Sequence, residues 1–156
     1  MFSAAFTLTY FGLLRVSETL ALQCKDIKIK ANLLIQINIQ KSKTDQMGIS
    51  SVVDITPHPT SSISQIETIK SCLGLRENLS QTPSLVTHLN SKPKYQFQSV
   101  LQKSLDFIGA PGHFKSHSFR IGMATELAKL GASESEIKTM GRWRSASYLS
   151  YIRTHQ

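Results

Sequence analysis

Only two cysteines occur in the 156 residues, Cys24 and Cys72. They share no C-x-x-C or Cys/His ligand spacing, which argues against a disulfide scaffold and a zinc site and makes a reducing compartment the default. No stretch reaches the roughly 18 uninterrupted apolar residues of a membrane span, so no membrane partner is expected and the chain should be soluble. The apolar opening MFSAAFTLTYFGLLR has no basic residues ahead of it and no small-residue cleavage site behind it, and it reads as a core helix rather than a signal peptide. Basic residues never run to five in a row, so no nuclear localisation signal is legible; the expected location is the nucleus for a eukaryotic source and the cytoplasm otherwise. Internal repeats and low-complexity tracts are absent.

What remains is ordinary for one folded domain, with 40% hydrophobic and 18% charged residues. Eighteen Lys and Arg against ten Asp and Glu leave a net charge of +8. That surplus suits a polyanion such as nucleic acid, although many basic globular proteins have no such partner.

Apolar residues at helical spacing (Phe2, Ala5, Phe6, Leu13, Leu14) predict a first helix over 2–14, with Gly12 near its end. SETLALQ follows as a short helix with Ser17 as its N-cap. LLIQINI alternates Leu33, Ile35, Ile37 and Ile39 with Leu34, Gln36 and Asn38, the period of a half-buried strand. SSVVDI, after the polar QKSKTDQMG, completes a hairpin. Ser62 or Ser64 caps a helix to about Leu73, and 74–93 reads as loop-rich around SLVTH. YQFQSVLQKSLDFIG places Phe97, Val100, Leu101, Leu105 and Ile108 on one helical face, stopped by Gly109 and Pro111. SFRIGMATELAKLG repeats Phe119, Met123, Leu127 and Leu130 and ends on Gly131 as a C′ glycine. Ser133 and Glu136 form a capping box for a short helix that Gly141 stops. The expected fold class is α+β, mostly helical, with a small antiparallel β-hairpin or three-stranded sheet.

Several polar residues stand out. His117 and Arg120 sit at i and i+3 where a helix begins, either a surface pair or an anion site aided by unpaired N–H groups. Arg15 follows an apolar helix directly and needs an anionic partner if buried; Glu18 either supplies it or orients the guanidinium. On a final helix turning about 100° per residue, Ala146, Leu149 and Ile152 mark an apolar stripe. Tyr148 lies about 100° from its centre and tucks beside the core, whereas Tyr151, about 160° away, projects outward.

Taken together, GLLRVSETLAL, KSKTDQMG, HSFRIGMATELAKLGA and MGRWRSASYLSYIR occur in an order and spacing that resemble the tyrosine recombinase (integrase) family. The similarity is closest to recombinases of eukaryotic mobile elements of the DIRS, Ngaro and Crypton kind, which carry similar HSFR and GRW…YIR blocks. Trp143 and Tyr151 are one residue closer than in many bacterial and phage members, as in that eukaryotic branch. The resemblance implies that 1–156 is a tyrosine recombinase catalytic domain, truncated at its N-terminus and without the core-binding domain. It implies Arg15 as the first catalytic arginine, Lys43 as the hairpin lysine, His117 and Arg120 as the HxxR pair, Trp143 at the His-or-Trp position, Tyr151 as the nucleophile and Glu18 as support for Arg15. Strand parity does not separate Lys43 from Lys41; the match to SKTDQ selects Lys43.

The chemistry explains such a set. Two guanidiniums hold the non-bridging oxygens of a phosphodiester bidentately at any working pH, so no metal or other cofactor is expected, in keeping with the lack of a carboxylate cluster in the sequence. Trp143 adds one N–H donor while its ring packs as an anchor. A phenol of pKa about 10 needs activation, for which His117 takes the proton; Lys43 protonates the 5′-oxygen as it leaves. The implied product is a 3′-phosphotyrosine that a second 5′-hydroxyl can resolve without ATP. Implied partners are double-stranded DNA and further copies of the full-length protein, as a dimer or tetramer on that DNA. Two other readings stay open, a DNA-binding remnant without activity and a type IB topoisomerase.

Overall fold

In a computed structural model, residues 1–40, 51–59, 61–77, 84–85, 92–110 and 112–153 are described. Helix α1, Phe2–Phe11, runs through the middle of the fold. Its buried residues Ala4, Ala5, Thr7, Leu8, Thr9 and Phe11 lie nearly all round the helix, as expected of one with neighbours on every side. The buried Thr9 hydroxyl donates to Ala5 O at 2.6 Å and bonds the Thr19 hydroxyl at 2.9 Å, so its polarity costs little.

Gly12 ends α1 as expected, because a Cβ there would lie 2.7 Å from Leu8 O. Leu13 then takes a left-handed backbone (φ 48°), and Leu14 N donates to Thr9 O at 3.2 Å. Leu13 and Leu14 are both fully buried, which drives this tight reversal at about 2 kcal/mol each. Its effect is to bring Arg15 to the start of α2, Val16–Ala21. Ser17 is not the cap of this helix. Arg15 occupies the N-cap position and its N–H donates to the Glu18 carboxylate at 2.7 Å; a carboxylate at the third position satisfies the exposed donor better than a hydroxyl.

Three antiparallel strands follow: β1 Ile27–Ile29, β2 Ile35–Ile39 and β3 Ser51–Ile55, in the order β1-β2-β3. Of the two expected arrangements the sheet is three-stranded, since the short IKI segment pairs Ile27 with Ile37 and Ile29 with Ile35. Ile35, Ile37, Ile39, Val53 and Ile55 form the covered face. Leu33, expected in the strand, is half exposed in a left-handed turn (φ 62°). The loop carrying Lys41 and Lys43 lies outside the described residues.

Helix α3, Gln65–Glu77, is capped by Ser64, whose Oγ accepts from Glu67 N at 3.2 Å, and it runs past Leu73. Within the expected loop region, Leu85 is fully buried and Ser84 bridges Gln23. Helix α4, Pro93–Phe107, buries Phe97 and Leu101 but not Ile108, which stands 70% exposed beyond the helix end. Helix α5, Ser118–Lys129, buries Met123 and Leu127, leaves Leu130 half exposed, and ends at Gly131 (φ 82°). Helix α6, Glu134–Gly141, has the expected capping box: Ser133 Oγ accepts from Glu136 N at 3.2 Å, and Ser133 N donates to Glu136 Oε2 at 2.7 Å. The chain turns at Arg142 (φ 54°) rather than at Gly141. Among the described residues no helix is long and apolar enough to cross a membrane.

The last element departs most from expectation. Ala146–Tyr151 is a 3-10 helix, with three residues per turn, so residues three apart lie on the same side. Tyr148 and Tyr151 therefore both face the body of the protein. Ala146 and Leu149 face solvent, Leu149 being 58% exposed, and of the expected apolar stripe only Ile152 packs against the core.

Candidate active site

Five of the six expected catalytic residues lie in the described part. Arg15, His117, Arg120 and Tyr151 line one cleft of about 400 Å³, with Ser17, Lys94 and Ser116. Trp143 backs it, its ring 4.9 Å from that of Tyr151. Lys43 falls outside the described residues, so its place relative to the cleft stays an expectation.

His117 reaches the cleft because the segment ahead of α5 is tied to α4. Gln98 Nε2 donates to Phe114 O at 2.8 Å while Gln98 Oε1 accepts from Ser116 N at 3.0 Å. The imidazole makes no capping bond to its helix and sits 4.6 Å, ring to ring, from Tyr151. Burial, then Arg120 and Arg15, hold its pKa below the usual 6.5. It is therefore neutral at pH 7 and can accept a proton.

Arg120 does not stand beside His117 at an open helix end. It turns inward, 2% exposed, and donates to Leu13 O and, at 3.1 Å, to Gly141 O. Its guanidinium carbon lies 4.7 Å from the Trp143 ring centre and 5.4 Å from that of Tyr151. Burial, followed by Arg15 and Arg142, lowers its pKa to about 10, with Tyr151 and Glu18 opposing. It stays charged at neutral pH. Its Nε is buried without a partner among the described residues, a donor left for an incoming acceptor.

Arg15 is more accessible, its side chain 24% exposed, and Nη1 donates to Glu18 Oε1 at 2.9 Å. Glu18 is 2% exposed at its side chain and serves a second cation, accepting from Arg142 Nη2 at 2.6 Å. The sequence did not single out Arg142. A basic residue at a helix end is commonplace, and a partner 124 positions away carries no local pattern. Gln98 and Lys94 were missed for a similar reason, since each acquires meaning only from the cleft.

Gly141 is required here by contact. A Cβ on it would overlap the Trp143 ring. Tyr151 is half-buried rather than projecting outward: its ring packs against His117 and Trp143, and its backbone O accepts from Thr125 Oγ1 at 3.3 Å. Tyr148 is buried, its pKa raised by that burial and by the Glu134 carboxylate beside it, with Lys138 Nζ 5.1 Å from its ring centre. Which side of the helix they face therefore does not separate the two tyrosines; what separates them is that Tyr151 lines the cleft and Tyr148 does not.

A cleft holding two arginines, a neutral imidazole and a phenol can bind a phosphate diester and present a nucleophile to it. The profile of the phage integrase family matches residues 2–155, and the chain belongs to that family, the tyrosine recombinases. Two solved structures share the fold. XerA recombinase superposes with a TM-score of 0.80 at 17% identity over 98% of this chain and 53% of its own. XerH site-specific recombinase, in a post-cleavage complex with a palindromic difH substrate, does so with a TM-score of 0.69 at 14% identity over 99% of this chain and 42% of its own. The chain thus spans about half the length of these recombinases. No curated protein sequence matches it.

Proposed function

We propose that this chain is the catalytic domain of a site-specific DNA recombinase, which cuts and rejoins strands through a 3′-phosphotyrosine on Tyr151 without metal or ATP. The observation that carries the reading is the convergence of Arg15, His117, Arg120 and Tyr151 on one cleft, from helices far apart in sequence.

Arg15 and Arg120 bind the non-bridging oxygens and stabilise the charge that grows on them as phosphorus becomes five-coordinate. His117, neutral because of burial and its arginine neighbours, takes the phenolic proton as the Tyr151 oxygen attacks. Trp143 holds the tyrosine and Arg120 in register. The P–O5′ bond breaks as the P–O(Tyr) bond forms, and Lys43 donates the proton that makes the 5′-hydroxyl. The reverse attack by a second 5′-hydroxyl completes strand exchange. Double-stranded DNA is the substrate, bound with marked salt dependence given the net charge of +8, and copies of the full-length protein assemble on it. The GRW…YIR block and its short spacing favour the eukaryotic mobile-element branch.

The test is incubation with a nicked suicide duplex followed by SDS electrophoresis. A covalent protein–DNA adduct is expected. A folded chain that binds DNA but forms no adduct on any such duplex is the inactive DNA-binding remnant. Relaxation of supercoiled DNA without exchange between partners marks a type IB topoisomerase.

A further inference from the structure

Glu18 holds two arginines from opposite ends of the chain. Arg15 belongs to the start of α2, whereas Arg142 lies between Gly141, whose carbonyl accepts from Arg120, and Trp143, whose ring packs on Tyr151. We propose that Arg142 is a positioning residue for strand cleavage: through Glu18 it locks the segment bearing Trp143 and Tyr151 onto the helix that presents Arg15. The proposal rests on the reading of the cleft given above.

Three observations carry it. The Glu18 carboxylate is almost wholly buried and uses both oxygens, Oε1 on Arg15 Nη1 (2.9 Å) and Oε2 on Arg15 N (2.7 Å) and Arg142 Nη2 (2.6 Å). One carboxylate so shared fixes two cations relative to each other, and Arg142 becomes the link between α2 and the end of α6. Second, Arg142 adopts a left-handed backbone (φ 54°, ψ 42°), the place where a helix normally ends on glycine. The glycine is one position earlier because the Trp143 ring covers it, so an arginine takes the strained conformation and its side chain must hold it there. Third, Arg142 does not line the cleft with Tyr151. It lines a separate hollow with Phe11, Gly12, Asp54 and Met140, so it acts through Glu18 rather than on the phosphate.

Arg15 and Arg142 thus share one buried carboxylate, and Arg120 lies near enough to both that they help lower its pKa. Their mutual repulsion is relieved when an anionic phosphate enters beside Arg15 and Arg120, which adds to the attraction for that ligand.

The experiment compares the wild-type chain with Arg142→Met, Arg142→Lys, Glu18→Gln and the Glu18→Gln/Arg142→Met pair. Single-turnover cleavage of the nicked duplex at saturating DNA, duplex affinity at fixed salt and thermal midpoint are measured for each. Arg142→Met should slow saturated cleavage by roughly 10–100-fold, the loss expected for about 1 Å of misplacement, with duplex affinity within about threefold. Arg142→Lys should recover part of the rate, and the double variant should be no slower than Glu18→Gln alone. Wild-type cleavage in Arg142→Met overturns the proposal. So does a loss that only tracks the unfolded fraction, with Arg142→Lys no better than Arg142→Met. A second readout does not need activity: the NMR resonance of the Arg15 Nε–H should shift in Arg142→Met, and in Arg142→Lys if the first variant fails to fold. An unmoved resonance overturns the proposal even if cleavage slows. Should wild type form no adduct while this resonance shifts, the cleavage reading fails and the positioning role stands.

Discussion

The two arginines of the cleft are held in opposite ways. Arg15 is tied by an ion pair to a carboxylate three residues along and keeps a quarter of its side chain exposed. Arg120 is nearly sealed, fixed by two backbone carbonyls and flanked by two aromatic rings. An ion pair leaves the cation free to trade part of its bonding for a phosphate, since Glu18 has a second partner in Arg142. Carbonyl bonds from two separate segments instead make the cation a structural strut joining the α1–α2 turn, α5 and the end of α6. Charge for the substrate and rigidity for the nucleophile thus come from the same residue type in different surroundings.

The largest effect should come at the nucleophile. Tyr151→Phe is expected to abolish the SDS-stable adduct, whereas Tyr148→Phe keeps it, since Tyr148 is buried beside Glu134 and does not line the cleft. An adduct that survives Tyr151→Phe would remove the reason for treating the two tyrosines differently.

Next, Arg120→Ala should cost on the order of 3 kcal/mol of stability by leaving Leu13 O and Gly141 O unpaired, and should also eliminate cleavage. Arg15→Ala should eliminate cleavage at a much smaller loss of stability. Equal thermal shifts for the two would erase the contrast between an arginine that is a strut as well as a phosphate ligand and one that is a phosphate ligand alone.

Gly141→Ala should cost about 1–3 kcal/mol through overlap with Trp143, and displace the ring that packs on Tyr151. Cleavage should therefore fall by more than the loss of folded protein explains, as a thermal melt and a single-turnover assay run together would reveal.

The smallest effect concerns pH. His117 has its pKa below 6.5 in the folded chain, so the neutral form is favoured by folding. Its contribution to stability is complete above the unfolded value of 6.5 and is lost as pH falls through the lowered folded value. Cleavage should accordingly hold its rate down to a pH below 6.5 before declining, and His117→Gln should remove that acid limb. A limb centred above 6.5 would place the proton acceptor elsewhere.

Much of the fold was legible because local patterns are decided locally. The alternation of Ile35, Ile37 and Ile39, the Ser133/Glu136 box and the Gly131 terminus depend on nearest neighbours in the chain, and each is present. The three-residue β1 was not legible as an element, because so short a segment becomes a strand only by pairing with β2. The last segment misled for a related reason. Its apolar residues suit an α-helix with Leu149 inward, but packing two tyrosines against α5 and α6 selects the tighter 3-10 turn.

By itself the sequence determined the chemical inventory: the arginines, the histidine, the tryptophan, the tyrosine and the order in which they come. Charge and reactivity belong to side chains and travel with them. Only the tertiary structure decided that Arg120 points inward, that Glu18 answers to Arg142 across 124 positions, and that Tyr151 lies against His117. Those are facts about which surfaces meet when the chain closes on α1, and burial supplies the free energy that makes them meet.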